Sequence, residues 1–151
     1  MLTFLSIFFM RDLAQVVYNS KMYKDFDNWN NKKKRVHTHH TSALCHEREL
    51  WWCSIGINVG HEEDGKGAAF ARPVIIFKKF NKEMFWGIPV TTRLKSGKYD
   101  VSVSVGDNRE RQAKISQLRL FDTRRLSSKI GMISASDYFF IGKAVTDVST
   151  S

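Results

Sequence analysis

Residues 48–92 read RELWWCSIGINVGHEEDGKGAAFARPVIIFKKFNKEMFWGIPVTT. Two apolar runs flank a glycine-rich, charged loop, and a third run ends on the pair Thr91-Thr92. The runs are short, aromatic or β-branched, and are bounded by Gly, Asn and Lys, which predicts strands over residues 50–57, 73–77 and 84–90. Arg72 stands directly before the second run. Pro73 biases it to an extended backbone, so Arg72 projects from the beginning of an apolar strand. An acid, an arginine and a hydroxyl thus reach the rims of neighbouring strands, a set suited to handling a phosphodiester.

Downstream the same period continues. Val101, Val103 and Val105 alternate with Ser102 and Ser104, predicting a half-buried strand over residues 99–105. Gly106-Asp107-Asn108 turns the chain. A further strand is expected over 113–118 with Ile115 in the core, a turn over 121–126, and a last strand over 129–133. Ser134 is placed to cap a helix whose third residue is Asp137, with Phe139, Phe140, Ile141 and Val145 as its apolar surface. Gly142 weakens that helix but permits close approach of another element. Repeated short strands without long intervening helices predict a curled antiparallel sheet rather than a parallel α/β unit.

Upstream, residues 11–35 favour helix. Leu13, Val16, Val17 and Tyr18 supply one apolar patch, and Met22, Phe26 and Trp29 recur on one face. The KKKR run at 32–35 follows, read either as the solvated end of a packing helix or as a nucleic-acid contact. Residues 1–45 are therefore expected to form a helical extension and polar linker, and residues 46–151 the main domain. Phe26 and Trp29 should pack on that domain or on a partner subunit, leaving 32–35 in solvent near the groove entrance.

The chain has 151 residues and a net charge of +9, a field that attracts polyanions. Residues 46–151 are basic in their own right. Cys45 reads as part of a polar linker and Cys53 as a small buried hydrophobe, so no disulfide framework is implied and a cytoplasmic location is expected. The apolar start MLTFLSIFFM is too short to span a bilayer and lacks the basic flank and cleavage motif of a signal peptide. It reads as an extra helical turn or as sequence ahead of the natural start, with Met10 and Met22 available. No membrane association is expected.

The loop at 60–67 is neither a phosphate-binding P-loop nor a calcium loop, because both spacings fail. It reads as a flexible hairpin that places one or two groups over a groove. Arg72 suits phosphate clamping, or else a salt bridge with Glu62 or Glu63. Thr91 and Thr92 suit phosphate orientation, or simple strand-end capping. His61 has acid–base chemistry. His37, His39, His40 and His46 lack any supporting ligand motif, so no metal is expected.

The blocks ELWWCSIGINVGHEE, RPVIIF, IPVTT and ISQLRLFDTRRLSSKIG, in this order, resemble the PemK/MazF family of type II toxin–antitoxin toxins over about residues 46–146. The stretch 23–37, with its FDNWNNKKK core, resembles the N-terminal extension of a longer subgroup. The resemblance implies a small SH3-like barrel, comparable to CcdB, with a C-terminal helix. It implies a homodimeric, metal-independent endoribonuclease that cuts single-stranded mRNA without a cofactor and is blocked by an antitoxin protein. By motif match, Arg72, Thr91 and Glu62 carry the catalytic roles, with His61 beside them where the family often has serine. Gln117 and Arg119 match a supporting block and, with Lys66, Thr92 and Arg93, make up the expected RNA contacts. The loop between Glu62 and Arg72 is longer than in compact members. The rival readings are a non-catalytic toxin that binds a protein target such as DNA gyrase, and a plain nucleic-acid-binding module.

Overall fold

A computed structural model of the chain describes residues 13, 23–39, 41–94 and 97–151. The apolar start, the patch members Val16, Val17 and Tyr18, the stripe residue Met22, and His40 lie outside the described residues.

Strand β3 (Met84–Thr91) organises the sheet. Along one edge it pairs with β2 (Ala71–Lys79), with Val74 opposite Pro89 and Lys79 opposite Phe85. Its other edge is divided: Met84 to Gly87 pair with β6 (Arg119–Asp122), and Val90 and Thr91 pair with β5 (Arg111–Lys114). β5 leads to the edge strand β4 (Asp100–Val103). β2 leads to β1 (Glu49–Ser54) and then β7 (Leu126–Met132). Every pairing is antiparallel, as the short, closely spaced runs predict.

The curled, closed barrel is not what forms. The sheet is open, in the order β4-β5-β3-β2-β1-β7 with β6 beside β3, and among the described residues no ladder joins its ends. The ends do approach, since a Cβ on Gly131 of β7 would lie 3.2 Å from Val105. Yet β4 is only four residues long, and the next amide, Ser104 N, donates to Asp137 Oδ2 at 3.2 Å. A helix carboxylate takes the bond that a closing strand would need.

Both sheet faces are apolar. One core joins Leu50, Ile75, Ile88, Val90, Val103 and Ile115 with Ile133 and Ile141. The other joins Cys45, Cys53, Ile55, Val74, Ile76, Phe85 and Phe121. Central strands covered on both sides read as continuous apolar runs, which is why PVIIF shows no alternation while the edge segment DVSV does. Cys45 is fully buried, against its reading as linker, because the chain enters the second core there and its carbonyl accepts from Lys79 Nζ at 2.8 Å. Burial pushes the Cys53 thiol up to about 12, against smaller lowering by Arg125 and Arg119, so it is an inert packing group.

Two helices flank the sheet. In α1 (Phe26–Thr38), Asp25 caps the first turn by accepting from Asn28 N at 3.1 Å. Trp29 is buried and packs against Phe70, at 5.7 Å between ring centroids, and under Arg125. Phe26 is 48% exposed, so within the single chain Trp29 alone packs on the sheet domain: three residues from Trp29, Phe26 turns past the contact line. In α2 (Ala135–Thr150), Ser134 accepts from Asp137 N at 2.9 Å, the predicted cap. Ile141 and Val145 join the core, but Phe139 and Phe140 are exposed. Nothing described lies within 4 Å of a Cβ built on Gly142, so no close approach occurs there. The strand expected over 113–118 stops at Lys114 and continues as a 3-10 turn, Ile115–Gln117, that keeps Ile115 buried. No helix among the described residues is long and apolar enough to cross a membrane.

Candidate active site

The loop from β1 to β2 is fastened at its neck by hydrogen bonds. Gly56 opens it at φ +89°, where a Cβ would sit 2.2 Å from the Trp29 ring, so only glycine fits between loop and helix. Gly65 N donates to Gly56 O at 2.7 Å, and Gly56 N to Phe70 O at 3.1 Å, closing the neck. A Cβ on Gly65 would overlap the Phe70 carbonyl at 1.8 Å. Inside the neck, Asp64 Oδ1 accepts from Asn58 N at 2.6 Å, and Asn58 Nδ2 donates to Glu63 O at 2.7 Å. From outside, Lys24 Nζ donates to Asn58 O at 2.7 Å and pairs with Asp64 at 2.8 Å.

The predicted supporting block meets this loop from across the sheet. Gln117 Oε1 accepts from Glu63 N at 3.1 Å, while its Nε2 donates to His61 O at 3.4 Å. Arg119 donates to Ile55 O at 2.8 Å and to Asn58 Oδ1 at 3.2 Å, with its guanidinium 4.6 Å from the Phe121 ring centre. Burial, and then the neighbouring Arg125, hold its pKa below the usual arginine range. The polar ends of both side chains are thus engaged with the loop.

Arg72 is held from the same side. Its side chain is 12% exposed; Nη2 lies 2.8 Å from Glu63 Oε2, and Nε donates to Asp64 O at 2.9 Å. Of the two acids offered by the sequence, Glu63 pairs with Arg72. Glu62 is exposed and accepts from Val59 N at 3.1 Å, folding back on its own loop. Thr91 ends β3. The β2–β3 register of Val74 with Pro89, carried two residues further, sets Arg72 level with Thr91. Thr91 Oγ1 accepts from Arg93 N at 3.2 Å, which leaves its O–H as a donor.

Arg72 and Thr91 line one open cleft of about 570 Å³ with Lys66, Thr92, Trp52, Arg111, Ser127 and Ser128. No Asp or Glu among the described residues lines it. His61, Glu62, Arg93, Gln117 and Arg119 are not in its lining; His61 and Arg93 are exposed nearby in sequence. A cleft with arginine and lysine donors, hydroxyls and no lining carboxylate can hold a phosphate, stabilise added charge on it and orient its oxygens, while Glu63 and Asp107 balance Arg72 and Arg111 from behind.

Trp52, Arg111, Ser127 and Ser128 escaped the sequence reading. Trp52 is 42% exposed, whereas Trp51 packs on the second core and donates from Nε1 to Glu49 at 2.8 Å. Strand alternation sends the two adjacent tryptophans to opposite faces, and only Trp51 meets a core there. Arg111 is buried and bound to Asp107, with Nη1 to Oδ1 at 2.8 Å. It lies between Glu110 and Gln112 in a polar stretch, and nothing local marks it. Ser127 and Ser128 come from β7, remote in sequence. Among the described residues, no cluster of three or more His, Cys, Asp or Glu could hold a metal.

The fold is similar to solved toxins. MazF (Form-I) from Deinococcus radiodurans superposes at a TM-score of 0.57 with 16% identity, over 72% of this chain and 99% of that one. The Mycobacterium tuberculosis toxin MazF-mt6 gives 0.52 and 18%, over 68% and 96%. MazE-MazF (Form-II) from Deinococcus radiodurans gives 0.53 and 12%, over 72% and 97%. A search of curated protein sequences found no match. Residues 46–148 match the family model described as PemK-like, MazF-like toxin of type II toxin-antitoxin system. With the fold and more than half of the sequence in agreement, the chain belongs to the PemK/MazF-like family of type II toxins.

Proposed function

We propose that this toxin is a metal-independent endoribonuclease that cuts single-stranded mRNA. The observation that carries the reading is that Arg72 and Thr91 line one cleft whose lining holds no carboxylate. In the reaction, a ribose 2′-oxygen bonds to the adjacent phosphorus while the bond to the 5′-oxygen breaks. The 2′-hydroxyl loses its proton and the 5′-oxygen gains one, leaving a 2′,3′-cyclic phosphate and a 5′-hydroxyl end. Arg72 stabilises the charge on the phosphoryl oxygens and Thr91 orients them. Glu63 aims Arg72 through the 2.8 Å pair. Glu62 shapes the loop, and the imidazole of His61 is the candidate for proton transfer. Lys66, Thr92 and Arg93 contact the RNA backbone, while Gln117 and Arg119 act through the loop they hold.

The toxin works as a cytoplasmic homodimer, with residues 46–151 as the toxin domain and 1–45 as its extension. A two-fold interface would cover apolar surface left by the open sheet. One similar structure pairs MazF with MazE, which supports an acidic, partly disordered antitoxin that competes with RNA for the positive cleft.

The Arg72–Glu63 salt bridge is the feature expected by the rival reading, a toxin that binds a protein such as gyrase. End mapping on mixed single-stranded RNAs in chelator separates the two. New 5′-hydroxyl ends that vanish in Arg72→Ala are expected. Intact RNA from the wild type would overturn the enzyme reading, and gyrase-dependent DNA breaks would replace it.

A further inference from the structure

The cations around the cleft are mostly neutralised where they stand. Arg72 pairs with Glu63, Arg111 with Asp107, Lys24 with Asp64, and Arg124 with Asp122. Lys32 and Arg35 on α1 have no acidic partner among the described residues. At 100° per residue, Trp29, Val36 and Lys32 fall on the packed side of α1, and Asn28, Asn31 and Arg35 on one flank beside it. Lys33 and His37 fall on the other flank.

The first flank leads into the cleft from two directions. A crevice lined by Asn28, Asn31 and Arg35 reaches Gly67 and Ala68, which also line the cleft. A second, lined by Lys32, Arg35 and Arg125, reaches Ser127, another residue of the cleft lining. Asp25, the acid at the far end of the first crevice, is already bound to Asn28 at 2.7 Å. The surface that continues the cleft along α1 therefore offers amides and unneutralised cations, with Asp25, engaged by Asn28, as the one carboxylate lining either crevice.

We propose that this flank of α1, with Lys32 at its border with the packed side, is a second phosphate track. It continues the cleft and binds single-stranded RNA beyond the phosphate that is cut, so that the extension lengthens the RNA footprint. This rests on the RNA reading above. It assigns Lys32 and Arg35 to the track and leaves out Lys33 and Lys34, exposed neighbours in the same run that line a separate crevice with Asp122.

The test uses the full chain and uncleavable 2′-O-methyl RNAs of about 4 and about 12 nucleotides, with affinity measured against salt. Lys32→Gln with Arg35→Gln keeps the side-chain stems and removes two charges. The long RNA should weaken about tenfold at low salt, its logarithmic salt slope should fall by about 1.4, and the short RNA should be unchanged. Lys33→Gln with Lys34→Gln should leave both nearly unchanged. Equal loss for both lengths, or equal loss from both variants, would overturn the track by showing only a general field. An unchanged long-RNA affinity would overturn the track alone. If the wild type binds neither RNA, the RNA reading fails and takes the track with it. Loss of binding only to a polyglutamate peptide would assign the flank to an acidic protein and overturn the RNA track.

Discussion

The two walls of the cleft are built by different means. The Arg72 wall is fastened by side chains distant in sequence: Gln117 and Arg119 from beyond β5, Lys24 from before α1, and Trp29 over Gly56. The Thr91 wall depends on backbone register, with β2 on one edge and β5 on the other, and on the single bond from Arg93 N. A buried guanidinium needs a fixed partner and fixed geometry, because a displaced charge in a partly dry site is costly. A neutral hydroxyl at a strand end needs only the strand. The difference teaches that substitution damage should spread widely around Arg72 and stay local around Thr91.

The largest test of that contrast is activity itself. Arg72→Ala should lower the cutting rate by about a hundredfold to a thousandfold, the range for losing one transition-state donor. Thr91→Val should cost nearer tenfold with stability unchanged, as single-turnover cleavage and thermal melting would register. Equal losses would erase the distinction between the walls.

Acid should loosen β1, the strand that feeds the fastened wall. Burial alone would raise the Glu49 carboxyl, but bonds from Lys129 at 2.7 Å, the His46 amide and the Trp51 indole outweigh it and bring it from 4.5 down to about 2. Because the folded value lies below the unfolded one, the contribution is fully present above pH 4.5 and drains away as pH falls toward 2. It amounts to about 3 kcal/mol. Denaturant melts of wild type and Glu49→Gln should therefore converge across that window and differ at neutral pH.

Next comes the seat of the loop. Gly56→Ala should destabilise by about 2–3 kcal/mol, since it adds a clash with Trp29 to a positive φ. Trp29→Ala in the same background should return part of that loss by removing the clashing ring, a coupling that a double-mutant cycle measures.

The smallest effect is that of the loop brace. Gln117→Ala should cost about 1 kcal/mol of stability. It should lower kcat more than it raises KM if the brace acts through Glu63 and Arg72. Loss confined to KM would make Gln117 a direct RNA contact instead.

Local signals were readable wherever a neighbour in sequence completes the physics. Ser134 and Asp137 are three residues apart and form the cap; Val101 and Val103 alternate and face the core. Arg72 before Pro73 and Thr91 after Val90 sit at strand rims because a strand's ends are encoded in its own run. Choices that depend on distant partners were not readable. Glu62 and Glu63 are chemically alike, and only the bonds from Gln117 and Asn58 decide which one meets Arg72. Phe26 and Trp29 share an apolar stripe, and only the gap above Gly56 selects the tryptophan.

By itself, then, the sequence determined the antiparallel strands, the capped final helix, the basic field and the residue types that reach the cleft. These follow from side-chain period, turn chemistry and charge, which act over a few residues or through space without regard to fold. Only the tertiary structure decided that the sheet stays open, that Cys45 enters a core, that Trp52 and Arg111 join the cleft, and which acid holds Arg72. Each of these is set by a competition between groups far apart in the chain, as when Asp137 takes the Ser104 amide that a closing strand would have used. A backbone donor can serve only one such partner well, and proximity in the folded chain selects it.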